Sequence, residues 1–201
     1  MRYKEAEKWV FHKFITDIDD RLCYHDLKHT VDVIRAADRL CYMEGVGSRD
    51  AILIRTGALF HDIGFCNQYL DNEEIAAEIA ADVLPQFGFS PIEIDKIEGI
   101  IMATRIPHQP NGRLEEIVCD ADLDYLGRED FHPLADNLKR ELMRYDVIKT
   151  DQEWDEIQVK FFGAHRFFTA SARKLRDQNK MVHLQEIQKR RQLYPDYDGI
   201  R

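Results

Sequence analysis

Residues Ala51-Ile52-Leu53-Ile54-Arg55-Thr56-Gly57-Ala58-Leu59-Phe60-His61-Asp62-Ile63-Gly64 run from an apolar segment straight into a histidine and an aspartate. Ile52, Leu53, Ala58 and Leu59 recur at helical steps. Ser48 offers an N-cap with Asp50 in the first turn, and Gly64 offers a stop after His61. Burying an imidazole and a carboxylate at the end of such a run is costly unless they are paired or coordinate a metal. The stretch therefore predicts a core helix with a polar group set at its end.

The same periodicity extends in both directions. Upstream it predicts helices over Tyr3–Ile18 (Val10, Phe11, Phe14, Ile15, Ile18) and Asp26–Met43 (Leu27, Val31, Ile34, Ala37, Leu40, Cys41). Downstream it predicts Asn72–Phe87, a helix from Pro91 to about Ala103 capped by Ser90, Leu114–Leu126 closed by Gly127, and Phe131–Tyr145. A loop is marked by Pro107, Pro110, Asn111 and Gly112. The last stretch, Asp151–Leu193, reads as one long helix with Gly163 as its weak point. No segment alternates with period two and no repeat is visible, so the expectation is one all-α domain over 1–193 with a tail over 194–201.

The chain has 201 residues, enough for one sizeable core. Its net charge of −9 argues against a nucleic-acid-binding surface, which needs basic charge to displace counterions. An anionic substrate would then need a local cation. The basic stretch Ser171–Leu193 carries seven Lys/Arg and two acids, and is expected to be a solvated face. Its apolar positions Leu175, Val182, Leu184 and Ile187 would pack on the rest of the chain or on a second copy in a homodimer. Cys23, Cys41, Cys66 and Cys119 lack paired spacing, and neither a signal core nor a membrane span is visible, so a cytoplasmic protein with free thiols is expected.

Two further segments share the character of His61-Asp62. One is Tyr24-His25-Asp26-Leu27-Lys28-His29-Thr30, where His25 and His29 are one helical turn apart. The other is Cys119-Asp120-Ala121-Asp122-Leu123-Asp124-Tyr125, where each aspartate could equally cap or meet solvent. Mixed imidazole and carboxylate donors suit one divalent ion: Mn, Fe, Co, Ni, Zn or Mg.

Taken in order, His29, His61-Asp62 and Asp122 resemble the H…HD…D signature of the HD-domain superfamily of metal-dependent phosphohydrolases. Tyr24 to Val33 is similar to the YHNxxHxxDV motif of cyclic-nucleotide phosphodiesterases, Phe60–Gly64 to the HDIG element, and Asp120–Asp124 to the DADxLD stretch of small bacterial HD hydrolases. The resemblance covers roughly residues 20–130 and implies a helical bundle with metal ligands His29, His61, Asp62 and Asp122. It places His25 at the position of a leaving-group acid. Further histidines for a second metal are not at their usual places: Asn72-Glu73 and Thr104-Arg105 stand there, with His108 slightly later, so one metal is expected.

The implied reaction is hydrolysis of a small phosphate ester, a nucleotide or cyclic nucleotide, with Asp62 both binding metal and orienting water. Arg105 is the candidate phosphate clamp, because a guanidinium binds two oxygens in parallel, and Lys28 is another. Asp32, one turn after His29, is the candidate to orient its imidazole. His12, His132, His165 and His183 receive no role, for want of a partner carboxylate at useful spacing. The competing readings are an HD-type di-iron oxygenase and a non-enzymatic, metal-bound ligand sensor.

Overall fold

Ser48–Phe60 forms the helix against which the others are arranged, here α3. It is apolar on nearly every side, with Leu53, Ile54, Ala58, Leu59 and Phe60 all buried, as befits a helix enclosed by its neighbours. Around it pack α1 (Tyr3–Asp17), α2 (Leu27–Met43), α5 (Pro91–Ala103) and α6 (Arg113–Asp122). A Cβ on Gly57 would lie 2.3 Å from the Ile100 side chain, so only glycine lets α3 and α5 approach this closely. α4 (Asn72–Val83) packs on α5.

The chain is completed by α7 (Phe131–Arg144), α8 (Asp151–Ala164) and α9 (Ala170–Arg191). The computed structural model describes residues 1–194, and among these the expected all-α architecture holds, with no strand. The expected tail lies, from residue 195 on, outside the described residues. One cluster of buried apolar side chains runs from Tyr3 to Ile187. No described helix is long and apolar enough to cross a membrane.

Caps set several starts. The Asp26 side chain accepts from the amides of Lys28 and His29 at the head of α2. Ser90 and Glu93 form a capping box with Pro91 at the first position of α5, and Thr150 with Glu153 does the same for α8.

Three expected helices end early. Asn72–Phe87 gives way after Val83 to a tight turn over Leu84–Phe87, where Pro85 lacks the amide needed to continue. Leu114–Leu126 stops at Asp122 and turns through Asp124–Gly127. There the buried Asp124 carboxylate takes Arg39 at 2.7 Å and Arg176 at 2.7 and 2.9 Å. Asp151–Leu193 is two helices, broken over His165–Thr169 and not at Gly163. The break is held by Asp120, fully buried, which accepts from the amides of Phe168 (2.7 Å) and Thr169 (2.8 Å) and from the Thr169 hydroxyl (2.7 Å). Lys180 donates to the His165 carbonyl and Arg173 to those of Phe167 and Phe168. Much of the basic stretch is thus spent within the chain: Arg176 on Asp124, Arg190 on Asp155, Lys180 and Arg173 on backbone.

Because the buried Asp120 serves two amides and a hydroxyl at once, Asp120→Ala is expected to destabilise the protein by roughly 2–4 kcal/mol in urea denaturation while leaving metal retention intact.

Candidate metal centre

Three helix ends converge on one point. His29 sits in the first turn of α2, fixed by the Asp26 cap. His61 and Asp62 follow the last residue of α3, and Asp122 is the last residue of α6. His29 Nε2 lies 3.4 Å from His61 Nε2, 3.1 Å from Asp122 Oδ1 and 3.4 Å from Asp62 Oδ2. His61 Nε2 lies 3.0 Å from Asp62 Oδ2 and 3.5 Å from Asp122 Oδ1. Donors about 2.1 Å from a common ion are separated by about 3.0 Å in octahedral and about 3.4 Å in tetrahedral geometry. Four of the five separations fall in that range, and the fifth, His61 to Asp122 at 3.5 Å, lies just beyond it.

The local chemistry fits the same ion. His61 Nδ1 is 2.9 Å from the Ala58 carbonyl, so it carries the proton and leaves Nε2 as a lone-pair donor. Asp62 Oδ2 is buried without a hydrogen-bond partner. Tyr24 lays its ring against His29, at 4.6 Å between centroids, and against Tyr125. Burial opposes every charge here. Nevertheless the imidazoles hold the carboxyls of Asp62 and Asp122 below the usual carboxylate range, and the two carboxylates hold His61 well above the ordinary histidine value. A proton on His61 thereby offsets the negative charge of the two carboxylates, a task a divalent cation performs more completely.

Gly64 fixes where His61 and Asp62 point. The turn Ile63–Cys66 folds onto the start of α4 so closely that a Cβ on Gly64 would stand 2.1 Å from the Asn72 backbone oxygen. No side chain fits there.

His25 lies beside the cluster, its ring 5.8 Å from His29 and stacked at 4.4 Å on Phe65. Its Nδ1 pairs with Glu141 of α7. Glu141 is fully buried, and its other oxygen accepts from the amides of Cys23 (3.0 Å), Tyr24 (2.8 Å) and His25 (3.1 Å). Burial works against charging either group, but the pairing raises the pKa of His25 and lowers that of Glu141. Sequence reasoning missed Glu141. The one signal was an acid on the Leu134–Leu138–Leu142 stripe of α7.

His108, noted in the sequence only as lying slightly after a usual histidine place, also enters the neighbourhood. Its side chain is only 3% exposed, its Nε2 is 3.6 Å from Asp122 Oδ2, and neither ring nitrogen has a hydrogen-bond partner. Arg105 stands apart from these groups, half exposed, with its guanidinium paired to Asp71 (3.3 Å) and Glu74. Asp32 does not orient His29 either, for it binds Arg128 at 2.5 Å. His165 is packed among aromatic rings, against Phe161 and Phe167, as its neighbours in sequence suggest.

Asp122, Tyr24 and Tyr125 form a wall between two cavities. One, of about 310 Å³, is apolar and lined by His25, Leu123, Leu138, Trp154 and Phe161 among others. The other, of about 260 Å³, is polar and contains His29, Lys28, Arg35, Arg128 and Asn137.

The family model for the HD domain matches residues 26–124, a segment that holds all four clustered side chains. The chain carries an HD domain. A predicted HD superfamily hydrolase from an uncultured Thermotogales bacterium superposes with a TM-score of 0.58 at 25% identity, covering 92% of this chain and 89% of that one. Bacillus subtilis YpgQ, solved in complex with ADP, superposes with a TM-score of 0.66 at 19% identity over 98% of this chain and 97% of that one, and so shares its fold. An uncharacterized protein of Clostridium beijerinckii is 34% identical over 90 residues, which are 43% of this chain and 57% of that relative's length.

Since Gly64 admits no side chain, Gly64→Ala is expected to cost about 2–4 kcal/mol of stability. It should also weaken metal retention through dialysis, although it touches no ligand. Thermal unfolding and metal analysis of the dialysed protein check both.

Proposed function

We propose that this HD domain is a metal-dependent hydrolase of small phosphate esters, with nucleotides as the first class to consider. The observation that carries the reading is the convergence of His29 Nε2, His61 Nε2 and Asp62 Oδ2 at separations suited to one small cation, with Asp122 Oδ1 within 3.5 Å of both imidazoles. These four residues would hold the ion. A bound divalent ion supplies a water of lowered pKa and neutralises phosphate charge.

The chain's own groups do the rest. The two cavities on either side of Asp122 divide an amphiphilic ester: phosphate oxygens meet Lys28 and Arg35, and a planar apolar group meets Leu123, Trp154 and Phe161. Arg105 reaches a phosphate only by leaving Asp71 and Glu74, so Lys28 and Arg35 take the clamping role. Asp62 orients the attacking water. As the water gives up a proton to solvent and its oxygen bonds to phosphorus, the ester P–O bond breaks and the departing alkoxide takes its proton from His25. Glu141 holds the His25 ring in place and keeps that proton available by raising its affinity.

Metal analysis and a screen of phosphate esters with several divalent ions test the reading, beginning with nucleotides, the class that the Bacillus fold relative holds as ADP. Asp62→Ala is expected to lose both bound metal and turnover, and normal hydrolysis by that variant would remove the assignment. His25→Ala is expected to keep its metal and to lower kcat by about 10²-fold or more. Equal loss of metal and turnover would make His25 a ligand instead. Iron with oxygen-dependent turnover in the purified protein would replace hydrolysis with oxygenase chemistry.

A further inference from the structure

A second group of donors joins α7 to α9. His132 of α7 and His183 and Glu186 of α9 each place one ligand atom within 4.8 Å of the others. His183 and Glu186 are three residues apart and share a helical face. Neither imidazole is absorbed by the hydrolase site.

The buried member is the most informative. His183 is 8% exposed and its Nδ1 is 2.9 Å from the Leu126 carbonyl. That bond places the proton on Nδ1 and leaves Nε2 as a lone-pair donor, the same backbone-anchored arrangement seen for His61. The ring is clamped flat against Phe131, at 4.5 Å between centroids and 17° between planes, with the His132 ring edge-on at 5.4 Å. One donor is thus fixed in the protein interior.

The other two face solvent. The side chains of His132 and Glu186 are each about half exposed, and His132 Nε2 lies 3.0 Å from Glu186 Oε2. Tetrahedral donors about 2.1 Å from an ion stand about 3.4 Å apart, so this pair need open by only a few tenths of an ångström. Two exposed donors can make that adjustment at little cost.

We propose that His132, His183 and Glu186 form a second divalent-metal site that staples α7 to α9. Two imidazoles and one carboxylate select a zinc-class ion over magnesium or calcium, which prefer oxygen cages. Water completes the fourth position. The ion takes the place of the direct contact between His132 and Glu186. The inference stands independently of the hydrolase reading.

Zinc titration of the metal-free, full-length protein tests it. Wild type is expected to bind two equivalents, and His132→Ala and Glu186→Gln one each. Both substitutions are at exposed positions, so folding should be undisturbed, as circular dichroism can verify. Asp62→Ala or His29→Ala should keep the equivalent held between α7 and α9, and magnesium should not compete for it. The proposal is overturned if both exposed-site variants bind as much zinc as wild type, or if Asp62→Ala binds none. A single wild-type equivalent that survives Asp62→Ala and disappears in His132→Ala supports this site and rejects the other. A single equivalent with the opposite behaviour does the reverse.

Discussion

Two carboxylates, Asp62 and Asp122, lie together at the buried meeting point of α2, α3 and α6. Left alone they would repel each other in a medium that solvates neither, and each would take up a proton. Two imidazoles prevent this, and much of the surrounding architecture exists to aim those imidazoles. The Asp26 cap holds the first turn of α2, the Ala58 carbonyl orients His61, and Gly64 allows the chain to fold away beneath Asp62. The apolar enclosure of α3 supplies rigidity, so donors on three separate helices keep their mutual distances without a disulfide or a long loop to brace them.

Helices were legible in the sequence wherever one face is apolar, and every predicted segment contains one. Their ends were less legible, for a physical reason. Leu114–Leu126 and Asp151–Leu193 have no local breaker strong enough to stop them. They stop because remote groups outcompete the helical pattern: Arg39 and Arg176 draw Asp124 aside, and Asp120 captures the amides of Phe168 and Thr169. Those partners lie tens of residues away, out of reach of any periodicity argument.

The candidate site shows the same division. His29, His61, Asp62 and Asp122 were legible because polar residues interrupt apolar runs in a recognisable order. Glu141 and His108 were not, since each enters the neighbourhood by tertiary packing. Arg105 had the right chemistry for a clamp, but nearby acids in Asp71 and Glu74 engage it first. His132 and Glu186, 54 residues apart, became partners only when α7 and α9 packed side by side.

The stretch from Asp120 to Asp124 sets three alternate carboxylates to three unrelated duties: one ties down the α8–α9 break, one meets the His29 imidazole, and one gathers arginines from α2 and α9. Because these positions straddle the end of a helix, one inserted or deleted residue would swing the chain by about 100° and misdirect all three at once. The segment therefore behaves as an alignment key. It joins the C-terminal helices to the helix end that carries Asp122, so the C-terminal third, which carries no part of the H…HD…D signature, is still anchored to the segment that does.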